Sequence, residues 1–175
     1  WHSVFFSGLA ALATIQLALP IGILAGRYPS RSTTLLEQST YVTHALPGIV
    51  IAISMVFLGV RLLEPIYLRT PLLVIAYVAL FLPVAVGSIR SAAEQIPDSL
   101  DEVSRSLGLS QWGIVRRVTL PLLAPGLLSA GALVVLAGMK ELPATMLLRP
   151  TGSETLATRL WTYTSVSDYA GAGPY

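Results

Sequence analysis

One stretch decides how this chain is organised: residues 97–121 read PDSLDEVSRSLGLSQWGIVRRVTLP, the one long polar interval between strongly apolar segments. Ser99 followed by Glu102 predicts a capping box, because hydroxyl and carboxylate satisfy backbone amides that lack partners at a helix start. Gly108 stands where that helix must turn, since a residue without Cβ adopts the left-handed conformation at little cost. Ser110 can cap a second short helix. The stretch therefore predicts two short helices joined by a glycine turn, outside the lipid.

Composition places the rest of the chain in a membrane. Hydrophobic residues make up 54% and charged residues 11%, against roughly a quarter charged in soluble domains. The absence of cysteine excludes disulfides and thiolate metal sites. A net charge of +2 does not favour nucleic acid as a partner. The chain begins at Trp1 without a signal peptide and ends on Gly-Pro-Tyr, so a fragment of a longer protein is expected.

Four apolar segments predict an all-α, polytopic helical bundle that forms one domain over 1–175. At about 1.5 Å per residue, some 20 helical residues cross the hydrocarbon layer. The predicted spans are 4–26, 44–60, 72–90 and 122–148. Small residues at intervals of four in the first span predict close packing against a neighbouring helix: Ala10, Thr14, Ala18, Gly22 and Gly26. Pro20 in the same span is either a proline tolerated in an ordinarily packed helix or the site of a hinge. The first alternative is favoured.

The polar stretch resembles a family signature. Membrane subunits of binding-protein-dependent ABC importers carry a cytoplasmic loop of pattern E-A-A, three residues, G, nine residues, I-x-L-P. Here residues 102–104 (Glu-Val-Ser) stand for E-A-A, Gly108 has the required offset, and residues 118–121 (Val-Thr-Leu-Pro) close the pattern. The replacements keep small or apolar character. The chain resembles this family from its first span to a short external helix, which indicates a multi-pass protein of the bacterial inner membrane.

The resemblance implies a transport subunit without catalytic residues or cofactors, in which the loop docks into a groove of a cytoplasmic ATP-binding subunit present in two copies. The residues it assigns to this interface are Leu100, Glu102, Val103, Leu107, Gly108 and Trp112. Further implied partners are an external substrate-binding protein, a second permease half and the lipid bilayer, with no nucleic acid. The alternative is an amphipathic loop packed on its own membrane domain.

The far end of the fourth span carries a second candidate site, Lys140, Glu141 and Pro143. Adjacent charges there are costly unless they reach a cavity, each other or the interface. They therefore indicate either a gate in the translocation path or a snorkelling lysine beside a structural glutamate. The run 140–150, KELPATMLLRP, resembles ferric iron permeases more than those for thiamine, sulfate, molybdate or polyamines. Iron would be cargo, because a lone carboxylate is no metal site by ligand count.

The segment after this run predicts an external amphipathic helix at about 152–163, with a capping box of Thr151 and Glu154. In the family one more span follows, so a missing final span is expected here. Segments 27–40 and 90–120 hold six arginines against four in the opposite segments. This bias places the loop 97–121 in the cytoplasm.

Two other classes of protein remain as alternatives. An intramembrane enzyme needs paired acids, a nucleophile system or a metal cluster within the spans. The chain offers only the charged pair at 140–141. A structural membrane subunit that transports nothing would carry the same loop, and only an uptake measurement separates it from an importer.

Overall fold

A computed structural model of the chain describes residues 1–174. Its helices are α1 His2–Arg27, α2 Arg31–Tyr41, α3 Gly48–Arg61, α4 Thr70–Glu94, α5 Ser99–Ser106, α6 Gln111–Ile114, α7 Leu120–Lys140, α8 Pro143–Leu148, α9 Leu156–Ser165 and α10 Tyr169–Ala172. Turns of 3-10 helix lie at Thr43–Ala45 and Glu64–Ile66. No β-strand occurs within residues 1–174, so the all-α prediction is confirmed.

Three helices are long and apolar enough to cross a membrane: α1, α4 and the continuous helix Gln111–Lys140. A fourth crossing requires α3 together with the segment Arg31–Ala45, and the two are bent by 97°. The bend falls at Pro47, which has no amide hydrogen to donate and adopts an extended conformation. The second apolar segment is therefore helical from Gly48, later than the start at residue 44 that the sequence indicates.

The core forms where α1 packs against α4, with α7 closing the third side. Ala10, Thr14 and Ala18 are fully buried, and Gly22 lies in the same buried row. A Cβ on Gly22 would lie 2.7 Å from Ile89 Cγ2. The expected close packing of this row is confirmed, and its partner is α4.

The continuous helix Gln111–Lys140 joins α6 to α7 through a π-helical turn, Val115–Thr119. This turn ends two residues before Pro121, whose ring would clash with the carbonyl four residues earlier in a regular α-helix. A wider π turn accommodates such a proline. The second short helix that the sequence predicts is thus the first part of the last long helix.

This long helix ends at Lys140, whereas the sequence indicates a span reaching residue 148. Glu141 is extended, with φ −69° and ψ 115°, and α8 begins at Pro143. Because proline cannot donate the amide that an unbroken helix requires, the chain breaks here. The short α8 then packs against α3.

The helix expected at about 152–163 is α9, which begins at Leu156. The predicted capping box of Thr151 and Glu154 is wrong. Thr155 caps α9, and its hydroxyl accepts from the Thr158 amide at 3.3 Å. The reason is a turn before the helix: Gly152 has φ +80°, and the Ser153 amide donates to the Pro150 carbonyl. Glu154 pairs with Arg159 instead, at 2.6 Å.

The two ends of α1 contact helix α9 and the loop 97–121. At its N-terminal end, Ser3 Oγ accepts from the Leu156 amide at 2.7 Å and fixes the start of α9. At its C-terminal end, Arg27 contacts Asp101 of α5 at 2.8 Å. The loop 97–121 and helix α9 therefore lie at opposite ends of a helix long enough to span the bilayer.

Candidate functional site

The turn between α5 and α6 is built on Gly108. Its φ is +83°, and nothing lies within 4 Å of the position that a Cβ would take. The constraint at Gly108 is therefore conformational, as the sequence predicts. Ser110 Oγ accepts from the Gly113 amide at 3.2 Å, so the predicted cap of α6 is also confirmed.

The predicted capping box of Ser99 and Glu102 is wrong. Ser99 is already helical, and no side chain caps the start of α5. The turn begins earlier, where the Leu100 amide donates to the Pro97 carbonyl at 3.2 Å. Asp98 is already in the right-handed helical region, so its backbone carbonyl accepts from the Asp101 amide. Glu102 is exposed.

Helix α5 exposes its apolar side chains, and the residues that it buries are polar. Asp101 and Ser104 are buried, whereas Val103 is 56% exposed and Leu107 is 78% exposed. Leu100 is 36% exposed, and Trp112 of α6 is 71% exposed. An amphipathic helix packed on its own domain would show the opposite arrangement. The apolar residues that the resemblance assigns to an interface thus keep exposed surface within residues 1–174.

Basic side chains border this apolar surface. A groove of about 620 Å³ lies between the glycine turn and the π-helical turn. It is lined by Gly108, Leu109, Ser110, Trp112, Gly113, Arg116 and Arg117. Arg116 and Arg117 are exposed, as is Arg105 on α5. The loop therefore combines an exposed apolar centre with a cationic edge.

Sequence reasoning missed the acids that hold this region to the spans. It assigned no partner to Arg27, which pairs with Asp101 at 2.8 Å. Arg90 pairs with Glu94 at 2.8 Å, and both oxygens of Glu37 also accept from Arg90, at 2.7 Å. An acid on a short helix that packs against the spans needs a basic partner, because an unpaired buried carboxylate is costly. Acids in such segments are the signal by which these ion pairs could have been found.

At the other candidate site, Glu141 caps the short helix that follows it. Its Oε1 accepts from the Ala144 amide at 3.2 Å. The same oxygen lies 3.7 Å from the position of a Cβ on Gly48, where α3 begins. Pro143 is half-buried, and Lys140 is exposed without an ion pair inside the described range 1–174. The Glu141 side chain is thus bonded to the start of α8 and lies near the start of α3, and Lys140 forms no ion pair with it.

A tyrosine and a threonine fix the break beside Glu141. The Thr145 hydroxyl donates to the Glu141 carbonyl at 2.5 Å and also contacts the Tyr77 hydroxyl. Tyr77 and Thr145 are both buried. These contacts satisfy polar atoms that the broken helix leaves inside the membrane domain.

Comparison with known proteins agrees with this architecture. Residues 18–172 match the family described as binding-protein-dependent transport system inner membrane component. The chain is 41% identical over 174 residues to the Fe(3+)-transport system permease protein FbpB 2 of Haemophilus influenzae, covering 99% of this chain and 34% of that protein.

More distant relatives carry other names. Identity is 26% over 176 residues to the putative 2-aminoethylphosphonate transport system permease protein PhnV of Salmonella typhimurium, with 97% of this chain and 66% of that protein covered. Identity is 26% over 161 residues to the molybdenum transport system permease protein ModB of Escherichia coli, covering 83% and 70%. The chain thus spans about a third of the ferric relative and about two thirds of the phosphonate relative.

The family match covers most of the chain, and the long apolar helices agree with it. Both confirm the predicted localisation, a multi-pass protein of the bacterial inner membrane. The chain belongs to the inner membrane components of binding-protein-dependent transport systems.

Proposed function

We propose that the chain is the membrane-spanning part of an ATP-driven importer, and that it receives the motion of a cytoplasmic ATP-binding subunit through residues 97–121. One observation carries the proposal: α5 turns its apolar residues away from its own domain. Leu100, Val103 and Leu107 together with Trp112 form what we call the docking face. Burying one large apolar side chain contributes about 1.5–3 kcal/mol, so a partner that covers this face gains affinity from it.

The chemistry of the docking face favours a protein partner. Interfaces between proteins concentrate aromatic and aliphatic side chains at the centre and polar groups at the rim. Trp112 and Leu107 supply such a centre, and Arg105, Arg116 and Arg117 supply a rim. The same arginines favour a cytoplasmic location under the positive-inside rule. Two ATP-binding subunits, a second permease half and an external substrate-binding protein complete the proposed assembly.

Ferric iron is the proposed cargo. The 41% identical relative is named for Fe(3+) transport, and the run 140–150 lies in the matched region. Among the described residues no group of three or more His, Cys, Asp or Glu is arranged to hold a metal ion. Iron would therefore pass as cargo that the binding protein delivers. The phosphonate and molybdenum relatives make other small solutes the comparison in any uptake assay.

Replacing one exposed leucine tests the docking face. We expect Leu107→Asp in the full-length protein to reduce the co-purified ATP-binding subunit about tenfold, which corresponds to about 1.4 kcal/mol of lost binding. The physical reason is that the new carboxylate must lose its hydration in an apolar contact. The measurement is quantitative co-purification from detergent-solubilised membranes, with the tag on the permease.

Leu62→Asp is the matched control, because Leu62 is 73% exposed at the end of α3 that lies away from the loop. It should leave the amount of ATP-binding subunit unchanged. An equal loss in both variants would attribute the effect to general misfolding. An unchanged amount in Leu107→Asp would remove the docking face from the interface.

Uptake of radioactive ferric iron tests the cargo. Cells lacking the gene should take up less iron than cells in which the intact gene is restored, while molybdate uptake should be the same in both. Equal iron uptake with a normally bound ATP-binding subunit would contradict iron as cargo and leave the importer assignment standing. If no solute responded, the structural-subunit alternative would be favoured.

Glu141→Gln separates a path residue from a structural cap. The amide oxygen of glutamine still accepts from the Ala144 amide, so only the charge is lost. The cost in unfolding free energy should be about 1 kcal/mol or less, the size of a charge effect at a helix start. We therefore expect normal assembly with the ATP-binding subunit and a normal melting temperature. If iron uptake falls in this assembled variant, Glu141 belongs to the translocation path; normal uptake would leave it a structural cap.

A further inference from the structure

The C-terminal end of α1 is tied to the docking loop by a buried arginine. The Arg27 side chain is only 2% exposed. One of its terminal nitrogens lies 2.8 Å from Asp101 Oδ1, and the other donates to the Ile96 carbonyl at 2.9 Å. The same guanidinium lies 3.9 Å from Asp98, whose side chain is exposed. Arg27 therefore contacts the chain at the end of α4 and within α5 simultaneously.

Burial strengthens the attraction between Arg27 and Asp101. The Asp101 side chain is 12% exposed, so little water competes for its carboxylate. The nitrogen that faces Asp101 forms a close ion pair with it but no aligned hydrogen bond. The directional contact of the planar guanidinium is the hydrogen bond to the Ile96 carbonyl. Separating two buried charges is unfavourable unless both are rehydrated, so the pair resists relative movement of α1 and α5.

A second link between the same elements is exposed and serves as a comparison. Arg105 donates to the Gln111 side chain at 3.1 Å, and Gln111 donates to the Tyr28 hydroxyl at 2.6 Å. Water competes with each of these contacts, and exposed pairs of this kind contribute little. The buried link at Arg27 is therefore the stronger of the two.

We propose that the ion pair of Arg27 and Asp101 is a positioning contact that makes α1 and α5 move as one rigid body, so that displacement of the docking face reaches the first span directly. The proposal rests on the importer function proposed above. The ion pair itself is expected to fix the distance between α1 and α5, whether or not nucleotide is bound.

The test measures that distance in the assembled importer. The chain contains no cysteine, so spin labels can be attached at Leu12→Cys in α1 and Ser99→Cys in α5, both exposed positions. Any cysteine elsewhere in the full-length protein is replaced by serine. Pulsed electron paramagnetic resonance then gives the distance distribution in lipid nanodiscs, with and without MgATP and vanadate.

The informative variant is Arg27→Met combined with Asp101→Leu, because removing both charges leaves no unpaired buried ion to unfold the protein. We expect the labelled wild-type distribution to keep its centre and width when nucleotide is added. In the double variant the width of the distance distribution should increase about twofold, because the attraction between the buried charges and the charge-assisted hydrogen bond from Arg27 to the Ile96 carbonyl are both lost. Gln111→Ala, which breaks the exposed link, should behave like the wild type.

The outcomes separate the inference from the function on which it rests. A wild-type distribution in the double variant would overturn the role of the pair, even if the ATP-binding subunit co-purifies normally. A wild-type distance that shifts with nucleotide would also overturn it, because α1 and α5 would then move independently. Loss of the ATP-binding subunit from unmodified protein would instead contradict the importer function, and the nucleotide-free widths would still decide the role of the pair.

Discussion

Gly108→Val should remove nearly all of the ATP-binding subunit from the purified full-length protein. The residue has φ +83°, a conformation that costs a residue with a side chain about 1–3 kcal/mol, with β-branched residues at the upper end. Open space around Gly108 does not relieve this cost. The turn should therefore change conformation, displacing Leu107 on one side and Trp112 on the other. We expect a decrease of about thirtyfold, equivalent to about 2 kcal/mol of binding.

Two controls identify the cause of that decrease. Gly108→Asn should retain most of the ATP-binding subunit, because asparagine tolerates the left-handed conformation. Gly152→Val places the same strain in a similarly open turn, with φ +80°, at the opposite end of the molecule. It should leave co-purification unchanged. Normal binding by Gly108→Val would show that the turn is not part of the interface.

Gly22→Val should destabilise the membrane domain more than any other single substitution proposed here. A Cβ at Gly22 would lie 2.7 Å from Ile89 Cγ2, 2.8 Å from Ile89 Cβ and 3.2 Å from the Arg90 backbone nitrogen. Because one contact is backbone, a side-chain rotation cannot relieve the overlap and α1 must move away from α4. Overpacking of this kind costs about 1–3 kcal/mol. The melting temperature of the purified protein should fall by about 5–10 °C.

Gly8→Val is the matched control in the same helix. Nothing lies within 4 Å of a Cβ at Gly8, so the added side chain meets open space. Its melting temperature should stay within about 2 °C of the wild type, as for surface substitutions. The protein is heated to a series of temperatures, and size-exclusion chromatography measures the fraction that stays monodisperse. Equal losses in both variants would attribute the effect to valine in α1 and not to the contact with α4.

The features that the sequence predicts correctly depend on residues close together in the chain. Gly108 requires a left-handed turn whatever surrounds it, and Ser110 reaches an amide three residues ahead, so both can be inferred from neighbours along the chain. The row from Ala10 to Gly22 is readable for the same reason, because helical periodicity alone places small residues on one side.

Errors arise where two local signals compete. Ser99 and Glu102 have the spacing of a capping box, but a turn at Pro97 starts the helix first. Thr151 and Glu154 have the same spacing, yet a turn around Gly152 moves the helix start to Leu156. A pattern shows that a cap can form, while the conformation of the preceding residues decides whether it does.

By itself the sequence determined an all-α membrane protein and the position of its glycine turn, and its loop pattern indicated the family. These features depend on composition, periodicity and short-range spacing. The tertiary structure alone decided that α4 is the partner of Gly22, that α5 exposes its apolar face, and that Arg27 pairs with Asp101. Each of these features depends on residues that are far apart in the chain. It is decided by how the helices pack together, which the sequence of one segment does not determine.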